Sequence, residues 1–316
     1  MGKLGWLSLG IVAALGGGAY TFYDMAVNRH NTVNLPEGKK SKEQLEKEKK
    51  RAAIIETAKV WVSDIPHETL TVDSYDGLKL VADLIPAETP TEDTIILVHG
   101  FRASGYKDFG AMLKFYHRLG LNILLVDDRG HGRSEGKYIC YGWNDHFDVM
   151  KWIDLLCERY SDNAKIFLHG VSMGAATVMM VAGEKLPRQV KGVIEDCGYT
   201  SANEQFDHVL KSVFNITWGK PFIAAARTIA LQLAKFDFND CNSLKALAKT
   251  RLPFLFIHGS NDNFVPTEMV YRNYNACSST KKTLQIIEGA GHAESYLVNT
   301  KLYEKVVTEF IDELRK

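Results

Sequence analysis

Residues 165–178 read KIFLHGVSMGAATV, and this stretch decides the fold. The apolar run that ends at Gly170 is typical of a buried strand, and the small and apolar residues after Ser172 continue as a helix. Between them, residues 170–174 (GVSMG) match the pattern G-x-S-x-G, whose two glycines give the backbone room for a serine in a strained turn. The stretch therefore predicts a strand, a sharp turn and a helix that together expose the Ser172 hydroxyl.

Strand and helix patterns alternate on both sides of this stretch. Short β-rich runs occupy residues 94–100, 122–130, 165–172, 191–198, 253–262 and 283–292. Helical patterns lie near residues 107–119, 144–160, 173–186, 267–277 and 299–315. Residues 67–87 read as a β-hairpin that turns at Asp76-Gly77, while residues 199–250 are too long for a simple crossover. We predict an α/β fold with a doubly wound, mostly parallel sheet, an antiparallel N-terminal hairpin and a small helical cap at about 199–250.

The composition argues against several classes of protein. Lys and Arg together number 38, as do Asp and Glu, so the formal net charge is +0 and gives no electrostatic reason to expect a nucleic-acid partner. The five cysteines include no C-x-x-C pair, which argues against a disulfide framework or a zinc site. The sequence has no H-E-x-x-H motif, no phosphate-binding loop and no complete dinucleotide fingerprint. We therefore expect neither a metal nor a cofactor.

A second copy of the serine pattern occurs at residues 132–136 (GRSEG). Ser134 lies in a polar, glycine-rich loop that no apolar helical run follows directly, whereas Ser172 stands between a strand and a helix. A hydroxyl is a poor nucleophile unless the chain holds it exposed beside a base. This context favours Ser172 over Ser134 as the nucleophile.

The base is expected to be a histidine after the last strand. His292 follows Gly289-Ala290-Gly291, and these glycines allow a loop to bring the imidazole over the serine. Three other histidines stand at strand ends, each directly before a glycine, and we interpret them as structural: His99, His169 and His258.

Two carboxylates compete for the role of the acid that orients the histidine. Asp262 lies a few residues past one strand, on a loop long enough to reach across to His292. Asp196 lies at the end of the preceding strand, and either strand can supply this acid. We favour Asp262 and expect Asp196 to brace a loop or to pack.

Acyl-transfer chemistry also needs donors for the oxyanion that develops on the carbonyl oxygen. The backbone N–H of Met173, the residue after the nucleophile, is one expected donor. The second is expected from the loop after the strand at 94–100, where the backbone N–H of Phe101 is suitably placed. Both side chains are also candidates to line an acyl pocket.

These motifs together resemble the α/β-hydrolase superfamily over about residues 67–316. The motifs are HGF (99–101), DDRGHGRS (127–134), GVSMG (170–174), HGSNDNFVP (258–266) and GAGHAES (289–295). With the run EDCGYTSANEQF, they look most like bacterial membrane-anchored Bem46-like hydrolases and serine aminopeptidase-like (S33) domains. The resemblance implies a triad of Ser172, Asp262 and His292, an oxyanion hole at Phe101 and Met173, and no cofactor.

We predict a serine hydrolase that cleaves an ester or thioester bond of a small to medium acyl substrate. The apolar run PFIAAARTIALQLA in the cap is able to roof an apolar acyl pocket. Two alternatives stay open: a serine peptidase or aminopeptidase-like hydrolase, and a catalytically silent, membrane-anchored binding protein. The superfamily places many chemistries on one scaffold, so the motifs do not identify the substrate.

The first residues differ in kind from the rest. Leu4–Tyr23 contains no charged residue and is long enough, at about 1.5 Å per helical residue, to cross a bilayer core of about 30 Å. We predict a single-pass membrane anchor at residues 1–28, a charged helical stalk at 29–64 and the hydrolase domain at 65–316. The basic stalk and the cysteines favour a cytoplasmic domain. A cleaved signal peptide and a buried helix are the alternatives.

Overall fold

The computed structural model describes residues 16–30 and 42–316. Its strands are β1 (Glu68–Asp73), β2 (Lys79–Ile85), β3 (Thr94–Val98), β4 (Asn122–Asp127), β5 (Ile166–Val171), β6 (Val190–Asp196), β7 (Phe254–Gly259) and β8 (Lys282–Ile287). A first helix, α1, occupies residues 16–27. The other helices are α2 (Lys42–Ser63), α3 (Gly105–Phe109), α4 (Leu113–Arg118), α5 (Trp143–Arg159), α6 (Met173–Val181), α7 (Ala202–Ser212), α8 (Lys220–Leu233), α9 (Ser243–Leu247), α10 (Glu268–Ala276), α11 (Ser295–Val298) and α12 (Thr300–Arg315).

The strands form one eight-stranded sheet in the order β1-β2-β4-β3-β5-β6-β7-β8. β1 and β2 form the predicted antiparallel hairpin, and its turn places Gly77 at a positive φ of 84°. β2 also runs antiparallel to β4, whereas every later pair is parallel. The predicted fold class is thus confirmed. Because the parallel strands point the same way, the loops after them gather at one edge of the sheet, where ligands bind in such folds.

Each face of the sheet carries its own hydrophobic core. Along β3, Ile96 and Val98 face a core that includes residues of α5 and α6, while Ile95 and Leu97 face a second core with residues of α4 and α12. All four side chains are fully buried. A strand covered on both faces needs apolar residues at every position, which explains the continuous apolar runs in the sequence.

The long segment between β6 and β7 contains three helices, α7, α8 and α9. The Ser201 hydroxyl accepts a hydrogen bond from the backbone N–H of Glu204 and so caps α7, while Pro221 stands in the first turn of α8. These helices lie where the sequence predicts a cap. The domain boundaries themselves stay a prediction.

Helix α1 covers most of the second half of the predicted membrane anchor, and residues 1–15 of that anchor lie outside the described residues. Within residues 16–30 and 42–316, no helix is both long and apolar enough to span a bilayer. Tyr23, Ala26 and Val27 are instead buried in the same core as α5 and α6. The predicted localisation, a single-pass anchor with a cytoplasmic catalytic domain, is therefore wrong, because the apolar side of α1 packs against protein.

Candidate active site

The turn between β5 and α6 holds Ser172 in a strained conformation, with φ 57° and ψ −113°. The two glycines of the motif are needed because the chain is crowded there. A Cβ atom at Gly170 would overlap the carbonyl oxygen of Gly174, and one at Gly174 would overlap the carbonyl oxygen of Val98. The backbone N–H of Ser172 donates a 2.9 Å hydrogen bond to the carbonyl oxygen of Asp196, which braces the turn from the next strand.

The loop after β8 places His292 beside this serine. The Ser172 hydroxyl lies 2.9 Å from His292 Nε2, and His292 Nδ1 lies 2.7 Å from Asp262 Oδ2. An ionised carboxylate only accepts hydrogen bonds, so the proton of the neutral ring belongs on Nδ1. Nε2 is then free to accept the hydroxyl proton of Ser172. The three residues, which are far apart in the sequence, thus form a continuous chain of hydrogen bonds.

Asp262 is held by more than His292. Its Oδ1 accepts hydrogen bonds from the backbone N–H groups of Phe264 and Val265, each at 2.9 Å, and its Oδ2 lies 3.2 Å from His258 Nε2. Burial by itself would raise the pKa of Asp262, but the hydrogen bonds from His258 and His292 hold this pKa well below its usual range. The carboxylate is therefore ionised and fixed in place at neutral pH.

His258 is a neighbour of this site whose contact sequence reasoning missed, because it was interpreted only as a structural histidine. Burial would lower the pKa of His258, but the hydrogen bond to Asp262 and the nearby carboxyl groups of Glu195 and Asp262 raise it above its ordinary value. Its Nε2 also lies 3.0 Å from the carbonyl oxygen of Val265. His258 and Asp262 are four residues apart around a strand end, and this spacing was the signal in the sequence that could have indicated their contact.

The rival acid, Asp196, lies elsewhere. Its carboxylate accepts hydrogen bonds from the Ser295 hydroxyl at 3.1 Å and from the Tyr303 hydroxyl at 3.0 Å. Burial raises the pKa of Asp196 to about 6. The structure therefore brings Asp262, and not Asp196, onto His292.

The other serine of the G-x-S-x-G type is internal. The Ser134 side chain is 1% exposed, donates a 2.6 Å hydrogen bond to the carbonyl oxygen of Asp127 and accepts a 2.8 Å hydrogen bond from the backbone N–H of Val81. Both hydrogen-bonding functions of the hydroxyl are thus used to join β2 to the loop after β4. Neither hydrogen-bond partner of the Ser134 hydroxyl is a histidine, and this serine serves to hold the loop.

Phe101 and Met173, whose N–H groups are the predicted oxyanion donors, both line a cavity together with Ser172. Gly100 allows the backbone at Phe101 to come close to the nucleophile, because a Cβ atom at residue 100 would stand 3.2 Å from the Cβ of Ser172. The Phe101 ring stacks on Tyr141 at a centroid distance of 5.5 Å. Within the part of the chain that the structure describes, no hydrogen bond uses the N–H of either Phe101 or Met173.

The cavity above Ser172 has a volume of about 250 Å³. Its walls come from α1, from α7 with the loop that follows it, and from the segments that follow β3, β4, β5, β6 and β7. The lining residues are Phe22, Met25, Ala26, Phe101, Tyr141, Ser172, Met173, Tyr199, Gln205, Phe206, Val209, Val213, Phe214, Phe264 and Val265. No charged side chain occurs in this lining. The apolar run expected to form the roof, residues 221–234, lies in α8 and is not part of it.

One group of side chains near the triad has the residue types of a metal site. Ligand atoms of Cys197, Asp262 and His292 lie within 4.8 Å of one another. A metal would need the thiolate form of Cys197, but burial raises the pKa of this thiol well above its usual value. Asp262 and His292 are also engaged with each other at 2.7 Å. The group is therefore better suited to hydrogen bonding than to holding a metal.

Comparisons with known proteins identify relatives of this chain. The model of the family described as serine aminopeptidase, S33, matches residues 89–235 and 207–294. An uncharacterised protein of Bacillus subtilis, YqkD, is 31% identical over 230 residues, which cover 72% of this chain and 73% of that protein. The monoglyceride lipase of Mus musculus is 28% identical over 241 residues, covering 66% of this chain and 77% of the lipase.

Solved structures show the same fold. An esterase from Pyrococcus furiosus superposes with a TM-score of 0.66 at 20% identity and covers 80% of this chain and 93% of its own. The protein Est1E from Butyrivibrio proteoclasticus, solved with bound ferulic acid, gives a TM-score of 0.59 at 20% identity, over 78% of this chain and 98% of that one. At this level of identity the likeness establishes the α/β-hydrolase fold and no substrate.

Proposed function

Because the chain belongs to the serine aminopeptidase (S33) family of α/β-hydrolases, it is a hydrolase, and we propose that it cleaves carboxylic esters or thioesters with an apolar acyl group. Ser172 is the proposed nucleophile, His292 the general base and Asp262 the acid that orients it. The reaction proceeds in two halves through an acyl-enzyme on Ser172.

In the first half, His292 Nε2 takes the hydroxyl proton while Ser172 Oγ attacks the carbonyl carbon. Asp262 keeps the second ring proton on Nδ1 and stabilises the imidazolium that forms. The tetrahedral intermediate then collapses, and His292 gives its proton to the departing alcohol or thiol. In the second half, water loses a proton to the same nitrogen and attacks the acyl carbon, which releases the carboxylic acid and restores Ser172.

The negative oxygen of the tetrahedral intermediate needs hydrogen-bond donors that are already in position. We assign this role to the backbone N–H groups of Phe101 and Met173. Met173 is the first residue of α6, and the partial positive charge at the N-terminus of a helix adds to this stabilisation. Both N–H groups are without another partner in the described part of the chain, which supports the assignment.

The single observation that carries the proposal is the uncharged, mostly aromatic and aliphatic wall around the Ser172 hydroxyl. An aminopeptidase must bind a cationic α-amino group. Removing such a group from water costs about 2–5 kcal/mol unless an opposite charge pairs with it. Gln205 is the only side-chain amide in the described lining, and no carboxylate is present there. An acyl chain, in contrast, gains free energy in this cavity with each methylene that it buries.

The test combines labelling with turnover. We expect a serine-reactive fluorophosphonate to label the full-length protein and short-chain p-nitrophenyl esters to be hydrolysed. Ser172→Ala should abolish labelling and lower kcat by about 10⁴ or more, whereas the matched variant Ser134→Ala should retain most of the activity. Near-normal turnover by Ser172→Ala, or a higher kcat/KM for aminoacyl amides than for any ester or thioester, would overturn the proposal.

A further inference from the structure

We infer that helix α1 is a substrate-binding element that forms the far compartment of a two-part acyl site. This inference rests on the proposed function and specifies that the apolar acyl group can be a long unbranched chain. The family model matches residues 89–294, so α1 lies outside the region that defines the family. The length of the acyl chain that the enzyme accepts would then depend on a segment that the family model does not match.

The first observation is that α1 forms one wall of the cavity over the nucleophile. Phe22, Met25 and Ala26 line the same cavity as Ser172. The Phe22 ring meets Phe206 of α7 edge to face, with a centroid distance of 5.3 Å. An acyl chain that leaves the carbonyl carbon at Ser172 therefore runs between α1 and α7.

The second observation is an apolar cavity of about 320 Å³ that shares lining residues with the cavity at Ser172. Its lining consists of Gly18, Thr21, Phe22, Met25, Leu210, Phe214, Ile216 and Phe222. Phe22, Met25 and Phe214 line both cavities and are the partition between them. Phenylalanine and methionine side chains reorient by rotation about a few single bonds, so a small displacement joins the two spaces into one.

The third observation is that polar contacts hold α1 against the catalytic loops. The guanidinium of Arg102, the residue after the proposed oxyanion donor Phe101, donates to the carbonyl oxygens of Met25 at 3.2 Å, Asn28 at 2.6 Å and Arg29 at 2.9 Å. These carbonyls belong to the C-terminal end of α1 and the residues after it, where a cation is favoured. In return, the Arg29 guanidinium donates to the carbonyl oxygens of two residues in the loop after β4, Gly132 and Ser134, at 2.7 Å each.

The occupant of the far compartment is argued from its position and its lining. The space shares lining residues with the cavity at Ser172, so a long acyl chain whose carbonyl carbon lies at Ser172 can extend into it. No charged side chain occurs among its described lining residues, and Thr21 supplies the single side-chain hydroxyl. An unbranched hydrocarbon chain passes the partition and needs no polar partner, which a peptide or a sugar would need.

The experiment fills the far compartment and leaves the near one unchanged. In the full-length protein, Thr21→Trp fills it from α1 and Ile216→Trp fills it from the loop after α7; neither residue lines the cavity at Ser172. Tyr20→Trp is the matched control, because Tyr20 is 56% exposed and lines neither cavity. We measure kcat/KM for p-nitrophenyl butyrate and p-nitrophenyl palmitate with each protein.

We expect both filling variants to keep the butyrate value within about twofold of wild type and to lose about tenfold or more with palmitate, since several methylenes lose their site. Tyr20→Trp should change neither value. Equal palmitate-to-butyrate ratios in wild type and both filling variants would overturn the inference and leave the proposed function intact.

A binding measurement tests the far compartment independently of ester hydrolysis. Fluorescent long-chain fatty acid is titrated into Ser172→Ala protein with and without Thr21→Trp. Weaker binding in the double variant by about tenfold supports the far compartment even if no ester is hydrolysed, in which case only the proposed function fails. Equal binding in the two proteins contradicts the inference.

Discussion

The substitution Asp262→Asn probes the assignment of the acid most directly. The new amide oxygen can keep the hydrogen bonds from the N–H groups of Phe264 and Val265, which lie 2.9 Å from Oδ1 in the wild type. The amide NH₂ then faces His292 Nδ1 across the present 2.7 Å contact. Because this NH₂ can only donate, Nδ1 must accept, and the ring proton moves to Nε2. A neutral imidazole with its proton on Nε2 is unable to take the proton of the Ser172 hydroxyl.

The size of the effect follows from this change of tautomer. The equivalent substitution in a serine protease lowers kcat by about 10⁴, which corresponds to about 5.4 kcal/mol of transition-state stabilisation. The variant also loses the charge that pairs with buried His258 at 3.2 Å. We therefore also expect the free energy of unfolding to fall by about 1–3 kcal/mol.

The assay compares kcat for p-nitrophenyl butyrate in wild type, Asp262→Asn and the matched control Asp196→Asn. Asp196 is as buried as Asp262 but bonds to Ser295 and Tyr303, so its variant should keep kcat within about tenfold of wild type and lose mainly stability. Urea denaturation reports the stabilities, and nitrogen NMR of His292 reports which ring nitrogen carries the proton. A larger loss of kcat at Asp196, or a proton that stays on Nδ1 in Asp262→Asn, would refute the reasoning.

Two further predictions concern buried ionisable groups that are not members of the triad. Arg129 donates to Asp148 at 2.6 Å and pairs with Asp76 at 3.0 Å, so Arg129→Met should lower the free energy of urea unfolding by about 3–5 kcal/mol, and a loss under 1 kcal/mol would contradict this. Burial raises the pKa of Glu195 to about 8, so the native state holds a proton that the unfolded chain releases near its ordinary value of 4.5. Wild-type stability should therefore fall relative to Glu195→Gln as the pH rises from about 5 to 8, by at most about 1.4 kcal/mol per pH unit, and parallel pH profiles would count against it.

Much of the fold could be predicted from the sequence because its signals are local. A strand buried on both faces is apolar throughout, a helix repeats its apolar residues every three or four positions, and both patterns are visible over residues 94–316 without knowledge of contacts. The turn at Ser172 is partly local: Gly170 is required by the backbone of Gly174, four residues later, whereas Gly174 is required by the carbonyl oxygen of Val98 on the adjacent strand. The three residues that form the chain of hydrogen bonds could also be predicted, because parallel strands end at the same edge of the sheet. Their catalytic roles stay predictions.

The sequence by itself thus determined the order of strands and helices, the strained serine and the set of polar residues at the strand ends. Only the tertiary structure decided which carboxylate reaches His292, because Asp196 and Asp262 both follow strands and differ by where their side chains lie in space. It also decided the place of α1. An apolar helix gains free energy by leaving water, and its sequence does not distinguish lipid from the protein surface of α7. That choice depends on residues far along the chain, such as Arg102 and Phe206, which contact α1 only once the sheet has formed.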